Sequence, residues 1–264
     1  MIETIELLGV PIHSLTLDDA AVQIVQTAKA GAGGWVVTPN LDILRRATHD
    51  PVFRRMYDAS TLRLADGMPL IWASRLRGTP LPERAAGSDL IYRLAARAAE
   101  AGVSLYLIGG NPGTADKTSA RLRELHPALV IAGTECPPPG FEREDALVQS
   151  MAQRVGESGA GIVLVALGCP KQEMLIERVR HRLPHAWFIG VGITFSFVAG
   201  EVHRAPVWMQ RTGIEWVHRL VQEPRRLARR YLVNGLPFAV RLLLTSAFQG
   251  LARKSGKTQP RHVR

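Results

Sequence analysis

The chain has 264 residues, of which 46% are hydrophobic and 21% charged, and its formal net charge is +10. This length and composition exclude a disordered chain and fit one large α/β domain, alone or with an appendage. The only two cysteines, Cys136 and Cys169, exclude a disulfide-rich scaffold and a four-cysteine zinc site. We therefore expect both to be reduced thiols of a cytosolic protein.

The positive charge is concentrated at one end of the chain. Residues 1–203 carry 20 basic and 21 acidic side chains, whereas residues 204–264 carry 13 basic and 2 acidic ones. The first residues lack the basic and apolar regions of a signal peptide, and no uninterrupted apolar run approaches the ~18 residues of a membrane span. We therefore predict a nearly neutral globular domain over 1–203 and a basic C-terminal appendage over 204–264.

Short apolar runs alternate with segments of helical periodicity along most of the chain. The runs predict strands at 35–37, 62–65, 103–108, 129–132, 162–167 and 187–192. The periodic segments predict helices over 41–58, 87–101, 113–125 and 171–183. This alternation predicts an α/β fold, a mostly parallel Rossmann-like sheet with helices on both faces. Ligands of such sheets bind beyond the carboxyl ends of the strands.

Polar side chains follow the first two predicted strands at this edge. Thr38 and Asn40 come after the first strand, and their short side chains can hydrogen-bond a sugar or cap a helix. Asp66 comes directly after the second strand, where a carboxylate can act as a general base. It can equally be the N-cap of a helix that begins near Met68. Taken alone, these residues favour the capping interpretation, and the two roles of Asp66 are not exclusive.

A glycine-rich turn follows the third predicted strand. Gly109, Gly110 and Gly113 would let backbone N–H groups approach a phosphate at the start of the next helix. The turn lacks the full GxGxxG pattern, so it gives a nicotinamide-dependent oxidoreductase little support. Gln172 lies in the first turn of a later helix and would point to the same edge as Asp66.

A polar, proline-containing turn over 81–89 leads into a predicted helix, and it contains Arg84. The bidentate guanidinium of an arginine in such a turn can clamp a pyrophosphate. The same side chain can instead pair with Glu83 or Asp89 in solvent. The residues themselves favour this second interpretation.

The appendage combines an arginine cluster with an amphipathic helix. Residues 213–231 are predicted to be helical with an interruption at Pro224, and residues 236–252 place apolar side chains on one helical face. We expect the chain beyond Arg253 to be disordered. The arginines fit nucleic acid, anionic lipid headgroups or a pyrophosphate. Because an apolar helix face has no role on a duplex, we favour a membrane surface and keep a non-catalytic nucleic-acid-binding protein as the alternative function.

Taken in order, the motifs resemble the WecG/TagA/CpsF glycosyltransferases, glycosyltransferase family 26. The matching segments run from about residue 7 to about residue 240 and include VTPN (37–40), ADG (65–67), LPER (81–84), GGNPG (109–113), LGCPKQE (167–173), GVG (190–192), RAP (204–206), GIEWVHRL (213–220) and EPRR (223–226). Any one of these motifs is weak evidence, whereas the ordered series is strong.

The resemblance implies an inverting enzyme that uses neither a metal nor a cofactor and works at the cytoplasmic face of the cell membrane. It would transfer a hexose unit from UDP-N-acetylmannosamine or UDP-glucose to a monosaccharide on polyprenyl diphosphate, in cell-surface or exopolysaccharide biosynthesis. Residues 1–203 would be catalytic, and the appendage would dock on the anionic membrane and close the active site. The resemblance leaves oligomerisation open and implies no nucleic-acid partner.

The resemblance also assigns roles to individual residues. Asp66 would be the general base, and three residues would hold the sugars: Thr38, Asn40 and Gln172. Five arginines would balance the pyrophosphate: Arg84, Arg219, Arg225, Arg226 and Arg229. Four glycines would contact the nucleotide: Gly109, Gly110, Gly113 and Gly192.

Two segments depart from the family pattern. Ser196 stands where family members usually have an aspartate, and residues 136–141 replace a segment that usually contains an aromatic residue. Both lie where contacts to the nucleotide or the donor sugar are expected. A glucose donor therefore competes with N-acetylmannosamine.

Overall fold

A six-stranded parallel sheet forms the centre of the molecule. The computed structural model describes residues 2–257, and the side chains of all of these except residues 226 and 255–257. A hairpin of β1 (Thr4–Leu7) and β2 (Val10–His13) precedes the sheet. The sheet comprises β3 (Gly34–Val37), β4 (Leu62–Arg63), β5 (Leu105–Gly109), β6 (Ile131–Glu135), β7 (Ile162–Ala166) and β8 (Trp187–Gly190). Its order is β4-β3-β8-β7-β5-β6 with every pair parallel, which confirms the predicted α/β, Rossmann-like fold.

Among the described residues, nine α-helices connect the strands or cover the sheet. They are α1 (Leu17–Lys29), α2 (Leu41–His49), α3 (Pro51–Asp58), α4 (Met68–Leu76), α5 (Gly87–Ala101), α6 (Thr114–Leu125), α7 (Asp145–Ser158), α8 (Lys171–Val179) and α9 (Thr194–Val198). Short 3-10 turns lie at Phe141–Arg143 and Arg180–Arg182. The chain leaves β3 for β4 on one side, while β8 lies on the other side of β3. The resulting crevice is where ligands of open α/β sheets bind.

Apolar side chains on both sides of the strands build two cores. Trp35 and Val37 of β3 join a cluster with α2, α3, α7 and α8, whereas Val36 joins a cluster with α1, α5, α6 and α9. This follows from the two-residue period of a strand. A strand that is buried on both faces appears in the sequence as a continuous apolar run, so these strands could be predicted from the sequence.

The largest differences between the structure and the predicted elements lie at three places. The helix predicted over 41–58 is two helices, because the Asp50 side chain accepts hydrogen bonds from the N–H groups of Val52 and Phe53 and starts α3 anew at Pro51. The strand predicted at 129–132 lies at Ile131–Glu135 instead. The β1–β2 hairpin was not predicted, because its turn uses Leu8 and Gly9 at φ of 51° and 75° and lacks an Asn-Gly or Asp-Gly signature.

The appendage is helical and packs on the α/β domain. Its helices are α10 (Val207–Arg211), α11 (Glu215–Gln222), α12 (Pro224–Ala228) and α13 (Leu236–Lys257), with a π-helical stretch at Arg229–Gly235 between the last two. Phe238 and Leu242 of α13 are buried in the same core as Leu70 and Ile71 of α4. Gly250 permits this approach, since an added Cβ would lie 2.0 Å from the Leu76 carbonyl oxygen.

Within the described part of the chain, one helical segment is long and apolar enough to cross a membrane by length and composition alone. It covers Arg229–Lys254, and an 18-residue stretch within it has a mean hydropathy of 1.3, with 17% of that stretch buried. The sequence showed no uninterrupted apolar run of this length because Asn234, Arg241 and Gln249 interrupt the segment. Beyond Arg253 the helix continues to Lys257, and the rest of the tail predicted to be disordered, 258–264, lies outside the described residues.

The turn after β5 depends on a glycine at position 109. A Cβ there would lie 2.5 Å from the Ala166 carbonyl oxygen, and φ is +107°. We expect Gly109→Ala to lower the free energy of unfolding by more than about 2 kcal/mol, because a backbone clash adds to a φ cost of about 1–2 kcal/mol. Gly113→Ala is the matched control, since φ is +80° but nothing lies within 4 Å of an added Cβ. Urea denaturation of both variants measures the difference, and equal losses would contradict the clash.

Candidate active site

A cavity of about 1090 Å³ opens at the carboxyl edge of the sheet, between the α/β domain and the appendage. Its floor is polar and includes Thr38, Asn40, Asp66 and Gln172. Residues of α4, α11 and α13 form an apolar side. The cavity therefore collects residues that are far apart in sequence, and the parallel strands explain why the predicted polar residues meet there.

Asp66 lies at the carboxyl end of β4 and lines the cavity. Burial raises the pKa of Asp66 to about 6, the nearby Arg84 guanidinium opposes this rise, and the Glu215 and Asp89 carboxylates add to it. Gly67, not Asp66, is the N-cap of α4, and no side-chain capping bond is made there. The capping alternative is therefore wrong for Asp66. A carboxyl group with a pKa near 6 and access to a cavity suits a general base at neutral pH.

Beside Asp66 lies a cluster of two arginines and two carboxylates. Arg84 donates from Nη1 to Glu215 Oε2 at 2.8 Å and from Nη2 to Asp89 Oδ2 at 3.3 Å. Arg204 donates from Nη2 to Asp89 Oδ2 at 3.0 Å, and its Nε lies 3.6 Å from Glu215 Oε1. The pairing of Arg84 with Asp89 was one of the sequence alternatives, whereas Glu83 instead accepts from the Leu17 N–H at 2.6 Å. The cluster joins the appendage to the domain.

Thr38 and Asn40 both have internal partners. The Asn40 side chain caps α2 by accepting from the N–H groups of Asp42 and Ile43 at 3.0 and 3.1 Å. The Thr38 hydroxyl donates to the Gly190 carbonyl at 3.3 Å and is 6% exposed. The amide nitrogen of Asn40 is not used in the cap, so it is the group of this pair best placed to meet a ligand.

Gln172, in the first turn of α8, contacts the end of β8. Its Oε1 accepts from the Gly192 N–H at 3.1 Å, and its Nε2 donates to Glu173 Oε1 at 2.9 Å. An added Cβ at Gly190 would lie 2.5 Å from Gln172 Nε2, so the amide rests directly on β8. Burial raises the pKa of Glu173, which is 2% exposed. Glu173 therefore holds Gln172 in place, a role that its position in the motif did not reveal.

The glycines predicted to contact a nucleotide fall into two groups. Gly110 and Gly192 line the cavity, with φ of +79° and +58°. Gly109 packs against the end of β7, and Gly113 is the N-cap of α6. Gly109 and Gly113 therefore shape the turn, while Gly110 presents backbone to the cavity.

The arginines of the appendage are also divided. Arg219 lines the cavity, and its guanidinium lies 6.0 Å from the centre of the Phe197 ring. Arg225 and Arg229 are exposed and lie outside the described cavity lining, and the Arg226 side chain lies outside the described residues. Arg230, which was not assigned from the sequence, lines the cavity and pairs with Asp42 at 3.2 Å. Sequence spacing on a helix does not show which side chains turn inward when the helix becomes π-helical.

The two segments that depart from the family pattern both line the cavity. Ser196 is 9% exposed, and residues 137–139 with Phe141 form part of the wall. Hydrogen bonds from Thr114, then Lys117 and Ser196, contribute to lowering the pKa of Glu201.

Residues 2–257 contain no group of three His, Cys, Asp or Glu side chains placed to hold a metal ion.

A parallel α/β sheet with a cavity at the carboxyl ends of its strands defines a Rossmann-like fold. The model of the glycosyl transferase WecG/TagA/CpsF family matches residues 5–252, so the chain belongs to this family, as its motifs predicted. It is therefore a glycosyltransferase of cell-surface polysaccharide biosynthesis. The family implies a sugar donor and a lipid-linked acceptor, and its members are typically peripheral membrane proteins.

Proposed function

We propose that this protein is an inverting hexosyltransferase that uses a UDP-sugar and a polyprenyl-diphosphate-linked monosaccharide. The observation that carries the proposal is the Asp66 carboxylate, partly buried at the switch point of the sheet and facing a cavity of about 1090 Å³. A cavity of this size accommodates a nucleotide-sugar together with an acceptor sugar. The family supports the transferase chemistry, and N-acetylmannosamine and glucose are the two donor sugars proposed.

Asp66 would take the proton from the acceptor hydroxyl. The hydroxyl oxygen would then attack the anomeric carbon on the face opposite UDP, and the bond to the β-phosphate oxygen would break with inversion. UDP would leave with the bonding electron pair. Asn40 and Gln172 on the cavity floor would hold the sugars, with Thr38 fixing the strand end beneath them.

Arginine side chains would balance the charge of the diphosphate. Arg219 lines the cavity, and its Nε is buried without a hydrogen-bond partner among the described residues. Arg84 is bound by carboxylates, so we propose that it sets the charge around Asp66 and meets phosphate only if Glu215 moves. We propose that Arg225, Arg226 and Arg229 bind anionic lipid headgroups or a diphosphate.

Because the proposed mechanism uses no metal ion, we expect EDTA to leave turnover unchanged.

The appendage would hold the enzyme on the inner face of the cell membrane. Large apolar side chains at successive turns of α13 are exposed: Leu236, Val240, Leu244, Phe248 and Leu251. We call this row the exposed stripe. An apolar helix face beside arginines fits an anionic bilayer surface. Phe238, Leu242, Ser246 and Gly250 occupy the buried side of α13, so the two faces of the helix divide between the domain and the membrane.

The pH dependence of turnover tests Asp66 as the base. Because its pKa is raised to about 6, kcat/KM is expected to be constant above about pH 7 and to fall tenfold per pH unit below about pH 6. The Arg84 charge lowers the pKa of Asp66 and the Glu215 charge raises it. Arg84→Gln should therefore move this acid limb to higher pH and Glu215→Gln to lower pH. If the acid limb moved in the same direction in both variants, the assignment of Asp66 as the base would be contradicted.

A binding screen tests the donor class. Isothermal calorimetry with UDP, UDP-glucose and UDP-N-acetylmannosamine should show binding, while GDP-mannose and NADH should bind much more weakly. A duplex and a single-stranded oligonucleotide in the same buffer test the alternative function. Salt-sensitive oligonucleotide binding without any binding of UDP-sugars would favour the nucleic-acid interpretation.

A further inference from the structure

We propose that the apolar side of the cavity binds the first isoprene units of the acceptor lipid, which enter along α13 from the bilayer surface. The inference rests on the proposed function, and it assigns a site to the lipid part of the substrate. The residues that form this apolar wall are Trp72 of α4, Ile214, Trp216 of α11, and Leu236, Val240 and Leu243 of α13.

The apolar wall is a built surface on which the appendage chain lies directly against α4. At Gly213, which precedes α11, an added Cβ would lie 2.6 Å from the Trp72 ring and 2.7 Å from Met68 Cβ. Trp216 packs edge-to-face on Tyr231, with ring centres 6.1 Å apart. The wall presents mainly aromatic and aliphatic carbon. Sugar hydroxyls and phosphates need hydrogen bonds that such a surface does not supply, whereas an isoprenoid chain needs none.

The apolar wall is continuous with the exposed stripe. Leu236 and Val240 line the cavity and are also 55% and 49% exposed. They are the first two members of the stripe, which continues along the same face of α13 at Leu244 and Phe248. A lipid lying in a bilayer against the stripe could therefore reach the cavity along apolar surface, without crossing water. A ligand that arrives from solution has no use for this path.

The other parts of the acceptor also have counterparts in the same cavity. Arg219 and Arg230 line it, and the Nε atoms of both are buried with no hydrogen-bond partner among the described residues. A diphosphate beside the apolar wall would supply the missing acceptors. Asp66 in the cavity floor would meet the sugar hydroxyl. The Asp66 carboxylate thus matches the sugar, the two arginines match the diphosphate, and the apolar wall matches the lipid of one molecule. This match favours a sugar-carrying polyprenyl diphosphate over a protein partner.

The test compares farnesyl diphosphate with inorganic pyrophosphate by calorimetry, using the full chain without detergent or vesicles. Wild type is expected to bind farnesyl diphosphate at least about tenfold more tightly than pyrophosphate. Leu236→Ser/Val240→Ser replaces two side chains that are 55% and 49% exposed, and it should reduce this ratio to below about threefold. Phe248→Ser lies on the same stripe but outside the described cavity lining, and it should keep the wild-type ratio.

Three results would overturn the inference. The first is that wild type binds farnesyl diphosphate and pyrophosphate with equal affinity. The second is that the double variant keeps the wild-type ratio of these affinities. The third is that Phe248→Ser reduces the ratio as much as the double variant does. Sedimentation of the same samples tests whether a second copy of the chain occupies the apolar wall instead. A wild-type dimer that is lost in the double variant would assign the wall to that second copy. The measurement involves no sugar transfer, so a failure of the proposed transferase reaction is detected separately.

Discussion

Asp66→Asn is expected to reduce turnover by about 10²- to 10⁴-fold, the usual contribution of a general base. The asparagine has nearly the same shape but cannot take the acceptor proton. Affinity for UDP measured by calorimetry should stay within about threefold of wild type, because the arginines that would hold the diphosphate are unchanged. Asp145→Asn is the matched control, since this side chain is 83% exposed on α7. Near-normal turnover of Asp66→Asn would overturn its assignment as the base.

The same substitution should stabilise the fold above about pH 6. The pKa of Asp66 is higher in the folded chain, about 6, than its ordinary value of 3.8, so ionisation costs folding free energy at neutral pH. That cost is full above the folded pKa and disappears as the pH falls towards the unfolded value. Asp66→Asn should therefore raise the melting temperature at pH 7.5, and the gain should shrink at pH 4.5. A residue kept only for structure would show the opposite effect.

Leu244→Glu/Phe248→Glu is expected to weaken binding to anionic vesicles by about 10- to 100-fold. These side chains are 56% and 70% exposed in the middle of the exposed stripe, and full burial of each apolar group is worth about 1.5–3 kcal/mol. Carboxylates placed there also repel anionic headgroups. Sedimentation with vesicles that contain about 30% anionic lipid measures the change, and turnover on a vesicle-borne acceptor should fall with it.

Val52→Glu is the control for this surface. Val52 is 58% exposed at the start of α3, on the α/β domain, so its replacement adds one negative charge, against two in the stripe variant, without touching the appendage. It should leave vesicle binding unchanged. Full vesicle binding by the stripe variant would contradict the membrane role of α13. If both variants lost vesicle binding equally, the loss would be explained by the change in net charge alone.

The sequence predicted the sheet well because its strands are buried on both faces. The run at 162–167 appears as β7 with one residue fewer, and the polar residues after the first two predicted strands, Thr38, Asn40 and Asp66, line the cavity at the expected edge. The breaks and shifts were harder to predict. The break at Asp50 depends on a side-chain cap within a periodic segment, and the β1–β2 turn uses a left-handed leucine that no turn signature indicates.

The candidate site was less predictable where its contacts join distant segments. Arg84 meets Glu215 across 131 positions, and no local pattern encodes that pairing. The apolar positions of α13 were recognised, but periodicity alone could not divide them between a face that docks on α4, with Phe238 and Leu242, and the exposed stripe. Arg230 was missed as a cavity residue because the helix there is π-helical and rotates its side chains relative to an α-helix.

The product of the reaction tests the central claim most directly. Purified enzyme, vesicles, UDP-glucose or UDP-N-acetylmannosamine, and a polyprenyl-diphosphate-linked monosaccharide are incubated together and the lipid is analysed by mass spectrometry and NMR. We expect one hexose unit to be added to the acceptor, UDP to be released in equal amount, and the new linkage to have the anomeric configuration opposite to that of the donor. Retention of the donor configuration, or an unchanged lipid with both donors and a panel of acceptor sugars, would contradict it.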